Sequence, residues 1–80
     1  LVMDQATHLA HLATEAAPDV DERVRLMYRR VIGRTPTSEE ASDAAAFVEM
    51  QIEAYDGDEA RAWADFGHVL FNLKEFIFID

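Results

Sequence analysis

Apolar and polar positions along this chain alternate with a helical period, broken at three places. From Val2 to Ala16, steps of about 100° per residue put Val2, Ala6, Leu9, Ala13 and Ala16 on one face, with Leu12 at its edge. Asp4, His8, His11 and Glu15 fall on the opposite face. "AAPD" ends this helix, because a proline disfavours helical backbone at the residue before it.

A second helix is predicted from about Val20 to Ile32. Asp19 stands at its cap position and Glu22 three residues on, a variant of the capping box. Val20, Val24, Met27, Tyr28 and Val31 form its apolar stripe, and Gly33 is placed to stop it. In "RTPTSEE", Pro36 fixes the approach, Thr37 caps and Glu40 returns the box contact. The third helix runs to about Ala54 and buries Ala41, Ala44, Ala45, Val48, Ile52 and Tyr55. Phe47 sits on its flank, and Met50 falls among its acids.

"YDGDEA" is a turn, with Asp58 capping a fourth helix. Trp63, Phe66, Leu70, Leu73 and Ile77 recur at spacings of 3, 4, 3 and 4, the period of a helix-packing seam. Ala60, Ala64, Gly67, Phe71 and Phe78 make a second apolar face beside it, leaving a narrow polar strip of Arg61, Asp65, His68, Asn72 and Glu75. A helix apolar over so much of its circumference is central, or is covered by another surface. Phe71, Phe78, Ala64 and Gly67 are therefore the candidate interface. The tail "FIFID" is β-prone and is expected to leave the helix as an extended segment. Short loops favour antiparallel neighbours, so the fold class is all-α, a compact four-helix bundle-like domain over 1–80. The first residue is Leu1 rather than Met and the helical pattern is already under way, which suggests a piece of a longer protein.

Composition narrows the chemistry. Half of the 80 residues are hydrophobic and 29% are charged, a globular balance. There is no cysteine, so no disulfide, no thiolate metal site and no C-x-x-C-H haem attachment is available. No apolar run is long enough for a membrane span. Seven Lys and Arg against 16 Asp and Glu give a net charge of −9, which disfavours nucleic acid and anionic membrane. The charge is also segregated: Arg23, Arg25, Arg29, Arg30 and Arg34 lie within one short stretch, whereas from Thr35 to Ala60 there are only acids.

Candidate sites are weak. His8 and His11, with Asp4 and Glu15, have metal-ligand residue types. They lie opposite the apolar face of one helix, which cannot close a tetrahedral site, so they read as a solvated surface. The arginine cluster is expected to pair with the acidic third helix rather than to bind phosphate. Glu39, Asp43, Glu49 and Glu53 form a solvent-facing row without the cleft that acid–base catalysis requires. His68 is a lone histidine beside Asp65. No catalytic, cofactor or metal residue is assigned.

Two motifs carry a resemblance. "RVRLMYRRVIGRTPTSEE" followed by "AWADFGHVLFNLKEFIFID" resembles the C-terminal part of the planctomycete PSD family, large multidomain proteins of unknown function, some with a planctomycete cytochrome c domain. Arg23, Tyr28, Gly33, Arg34, Pro36 and Thr37 fall on the first family motif. Trp63, Leu70, Asn72, Glu75 and Phe76 fall on the second, and Gln5 and Ala6 match the run-in helix. The chain departs from the pattern at Leu73 and Lys74, where a serine or asparagine is expected. The resemblance implies a C-terminal module of an exported protein, without assigned catalytic residues. Arg34, Thr37, Trp63, Asn72 and Glu75 then read as structural.

Three functional readings follow: a non-catalytic module docking onto the rest of the parent polypeptide or another protein; a regulatory or active-site-completing segment of an enzyme or electron-transfer protein; and a free-standing adaptor that binds partner helices. An isolated piece with a spare apolar face is also expected to self-associate.

Overall fold

The computed structural model describes residues 5–77, with side chains through Lys74. Four helices follow one another: α1 (Gln5–Ala16), α2 (Val20–Val31), α3 (Ser38–Ala54) and α4 (Glu59–Ile77). The expected all-α, bundle-like architecture is present, and there is no strand among the described residues.

Local chemistry sets the boundaries. The Asp19 carboxylate accepts from the Glu22 backbone N–H at the start of α2. Thr37 and Glu40 form both halves of a capping box at the start of α3: Glu40 N–H donates to Thr37 Oγ1 at 3.1 Å, and Thr37 N–H donates to Glu40 Oε1 at 2.9 Å. Asp58 accepts from Arg61 N–H ahead of α4. Gly33 closes α2 at φ +90°. After α3, Asp56 adopts φ 56° and Gly57 N–H donates back to Ile52 C=O at 2.8 Å, while Asp56 N–H donates to Glu53 C=O. This pair of bonds is a Schellman stop, made with aspartate where glycine is commoner. The helix continues through Phe76 to Ile77, so the first half of "FIFID" is helical rather than extended. Phe78 lies outside the described residues.

The four helices do not form a square bundle. α4 packs against α1, α2 and α3, whereas α1 and α3 do not touch. The cross-section is a rhombus with α2 and α4 across its short diagonal, and the molecule is flattened, 39 × 36 × 23 Å. Its radius of gyration is 12.0 Å, close to the roughly 11.6 Å of a compact chain of this length.

The core lies along α4. Trp63, Phe66 and Leu70 are buried, as are Val24, Met27, Tyr28 and Val31 from α2. Trp63 meets Phe66 edge-on at 6.0 Å, and Tyr28 tilts against Phe66 at 6.4 Å, both geometries favoured by the ring quadrupole. Helix α1 contributes mostly alanine: Ala6, Ala10, Ala13 and the following Ala17 are buried. Small side chains let it lie close to α4, where an added Cβ on Gly67 would stand 3.0 Å from the Ala6 carbonyl oxygen. Some expected core positions are not buried. Ala16 is exposed, Val20 and Leu12 are at the surface, and α3 buries fully only Ala44 and Val48. Helix α3 is a side wall, contacting α4 along one narrow strip.

Candidate functional site

The expected interface residues separate into different environments. Gly67 is covered by α1, so the close approach it permits is made inside the chain rather than with an outside surface. Ala64 is half-buried, and Phe71 is half-buried against the core. The expectation that Gly67 belongs to an outward face is corrected here: α1 occupies the side of α4 that sequence alone leaves uncovered.

Exposed apolar side chains lie elsewhere: Met50 among the acids of α3, the most exposed of those described, and Val69 along the seam between α3 and α4. Val69 is 44% exposed. It lines a hollow of about 220 Å³ together with Phe47 of α3, Leu70 and Leu73 of α4, and buried Phe66. Tyr28, Glu40 and Asp43 also line it. Phe47, on the flank by helical period, reaches this seam because it lies one turn beyond Asp43. Val69 and Leu73 were not part of the expected interface. The available signal was their i, i+4 spacing, with Val69 one residue before the buried Leu70. A larger hollow between α2 and α3, about 610 Å³, has Arg25, Asp21, Thr37 and Ser42 in its walls. No buried polar group converges in it, since no buried residue of the described set is polar or charged.

Two polar clusters brace the elements that form the groove. At the α2–α3 corner, Arg34 grips Glu40 with two hydrogen bonds of 2.7 and 2.8 Å, and its guanidinium lies 5.8 Å from the Tyr28 ring centre. The forked bond from Arg34, joined by the Thr37 backbone N–H, holds the Glu40 carboxyl down at about 2. At the other end of α3, the Tyr55 hydroxyl donates to Asp65 Oδ2, and Gln51 Nε2 donates to the same oxygen at 2.8 Å. These two bonds, the tyrosine's first, hold Asp65 below the usual carboxylate range; the bond to Asp65 is also the main cause that raises Tyr55. Arg61 stacks 4.1 Å from the Tyr55 ring centre. The clasp fixes the α3–α4 register from the polar side of both helices. Sequence reading buried Tyr55 and put Asp65 on a polar strip without linking them, although a half-buried tyrosine generally finds a partner for its hydroxyl.

The arginine cluster disperses. Arg34 pairs with α3 as expected, but Arg23 turns the other way. Its Nε donates to the Ala17 carbonyl, and its guanidinium lies 5.5 Å from the Trp63 ring centre. Among the described residues, Arg25, Arg29 and Arg30 form no ion pair with α3. Trp63 is buried in the core and Thr37 caps α3. Asn72 is exposed, and the Glu75 side chain lies outside the described residues. His11 pairs with Glu15 at 3.3 Å on the surface of α1. His68 is exposed. No cluster of three metal-ligand types occurs among the described residues. No helix among them is long and apolar enough to cross a membrane.

Compared with protein-family models, curated proteins and solved structures, the chain matches none.

Proposed function

We propose that this chain is a non-catalytic helical docking module of a larger exported multidomain protein, akin to the C-terminal part of the planctomycete PSD family. The observation that carries the docking role is the α3–α4 groove. An apolar side chain as exposed as Val69, lining a hollow with Phe47 and Leu73, stays costly to hydrate until another surface covers it. The rest of the fold serves to hold that groove: α4 is anchored by α1 and α2 on one side, and the Tyr55–Asp65 clasp sets α3 beside it. The resemblance supports the same reading through the stop, approach and cap at Gly33, Pro36 and Thr37, all of which shape the α2–α3 corner. An active-site-completing segment would require His68, Asn72 and Glu75 to line a cleft; His68 and Asn72 are exposed, and the Glu75 side chain lies outside the described residues.

Nile red, an uncharged dye that brightens on apolar surfaces, tests the groove directly. Its emission should rise and shift to the blue with the folded chain, and Val69→Asp should abolish most of the change while leaving the helical circular dichroism intact. Equal dye response from both proteins would remove the surface on which the docking role rests.

A further inference from the structure

We infer that the α3–α4 groove seats a basic amphipathic helix of a partner protein, its apolar side chains entering between Phe47, Val69 and Leu73 and its Lys or Arg side chains meeting Asp43 and Asp65. The inference rests on the docking role proposed above and names its occupant. Two parallel walls of helix with an apolar floor suit a third helix laid along them, reading side chains at i, i+3 or i+4 and i+7. Charge then selects which helix. Asp43 lines the groove and, among the described residues, forms no ion pair; Glu39, Glu49 and Glu53 are exposed elsewhere on the same helix, Glu49 beside the α2–α3 hollow, and add to the negative field. Between Thr35 and Ala60 the chain itself holds no lysine or arginine. Asp65, bonded by the neutral donors Tyr55 and Gln51, keeps its negative charge a turn before Val69.

A second copy of the chain fits poorly. Two molecules each carrying −9 repel one another. Among the described helices the basic one is α2, with Arg25, Arg29 and Arg30 exposed, but its apolar stripe of Val24, Met27 and Val31 is buried in its own core. It cannot offer basic and apolar faces together, so α2 of a second copy is not the occupant.

Three synthetic helical peptides with one apolar pattern and basic, neutral or acidic flanks test this by titration into the ¹⁵N-labelled full chain. The basic peptide should shift the amides of Phe47, Val69 and Leu73 and bind ~10-fold or more tighter than the neutral one. That advantage should shrink as salt rises from low to about 0.5 M, because surface charges are then screened within a few ångströms. Asp43→Lys, at an exposed position, should remove much of the basic peptide's advantage over the neutral one. Equal affinity of all three peptides would overturn the charge selection and leave the docking role standing. Dimerisation abolished by Val69→Asp would give the groove to a second copy and overturn the inference. If no peptide binds while the Nile red response persists, the inference fails alone; if that response is absent as well, the docking role falls with it.

Discussion

At the scale of single residues, the most informative group is Glu40. It serves two masters, the Thr37 backbone at the start of α3 and the Arg34 guanidinium beyond the end of α2. Its folded pKa, about 2, lies below the ordinary 4.5. A depressed carboxylate favours folding at pH values above the ordinary pKa, and this contribution disappears as pH falls from about 4.5 through about 2. Glu40→Gln keeps an acceptor for the capping box but removes the charge. The melting temperature of the wild type should exceed that of Glu40→Gln at pH 7, and the gap should narrow below pH 4 and close near pH 2. A gap that ignores pH would mean that the ionic grip of Arg34 adds nothing.

At the scale of elements, the contact between α1 and α4 depends on what is absent. Gly67 sits within a helix, where alanine is ordinarily better by about 1 kcal/mol. Here an alanine Cβ would lie 3.0 Å from the Ala6 carbonyl oxygen and 3.1 Å from the Ala6 Cβ. Overpacking of this kind costs roughly 1–3 kcal/mol, and its neighbour is backbone, which cannot swing aside. Gly67→Ala should therefore lose about 1 kcal/mol net, read as a lower urea midpoint; a gain would show that α1 yields freely. The helices themselves were legible in the sequence, because caps and stops act on neighbours within a few residues: Thr37, Gly33 and Asp58 fulfil the roles their identities suggest. What covers each face was not. Period alone cannot say that α1 takes the Gly67 side of α4, nor that Phe47 on the flank of α3 meets Val69. Both outcomes depend on how the rhombus closes, and no local pattern encodes that.

At the scale of the whole molecule, Trp63 joins the parts. It is 1% exposed, meets Phe66 edge-on and carries the Arg23 guanidinium above it, while Arg23 also holds the end of α1. Truncating a buried tryptophan to alanine costs about 3–5 kcal/mol, and an 80-residue domain has only about 4–12 kcal/mol in total. Trp63→Ala should lose helical circular dichroism and compactness in a single transition at a much lower temperature, or be unfolded already at 25 °C. Retention of α2 and α3 structure after α1 has melted would contradict the single cooperative core. The broad apolar circumference of α4, the strongest signal in the sequence, finds its main explanation here: three helices lean on it, and the groove beside Val69 is the part they leave open.

The rhombus also bears on how the chain is made. Its most extensive helix pair joins the first element to the last, with α2 and α3 intervening, and closing so long a loop carries an entropic cost before any contact repays it. A ribosome that has released α1, α2 and α3 has still not delivered the pillar they rest on. Until α4 emerges, the alanine-rich face of α1 has little to grip, and the nascent chain depends on whatever shelters it in the meantime.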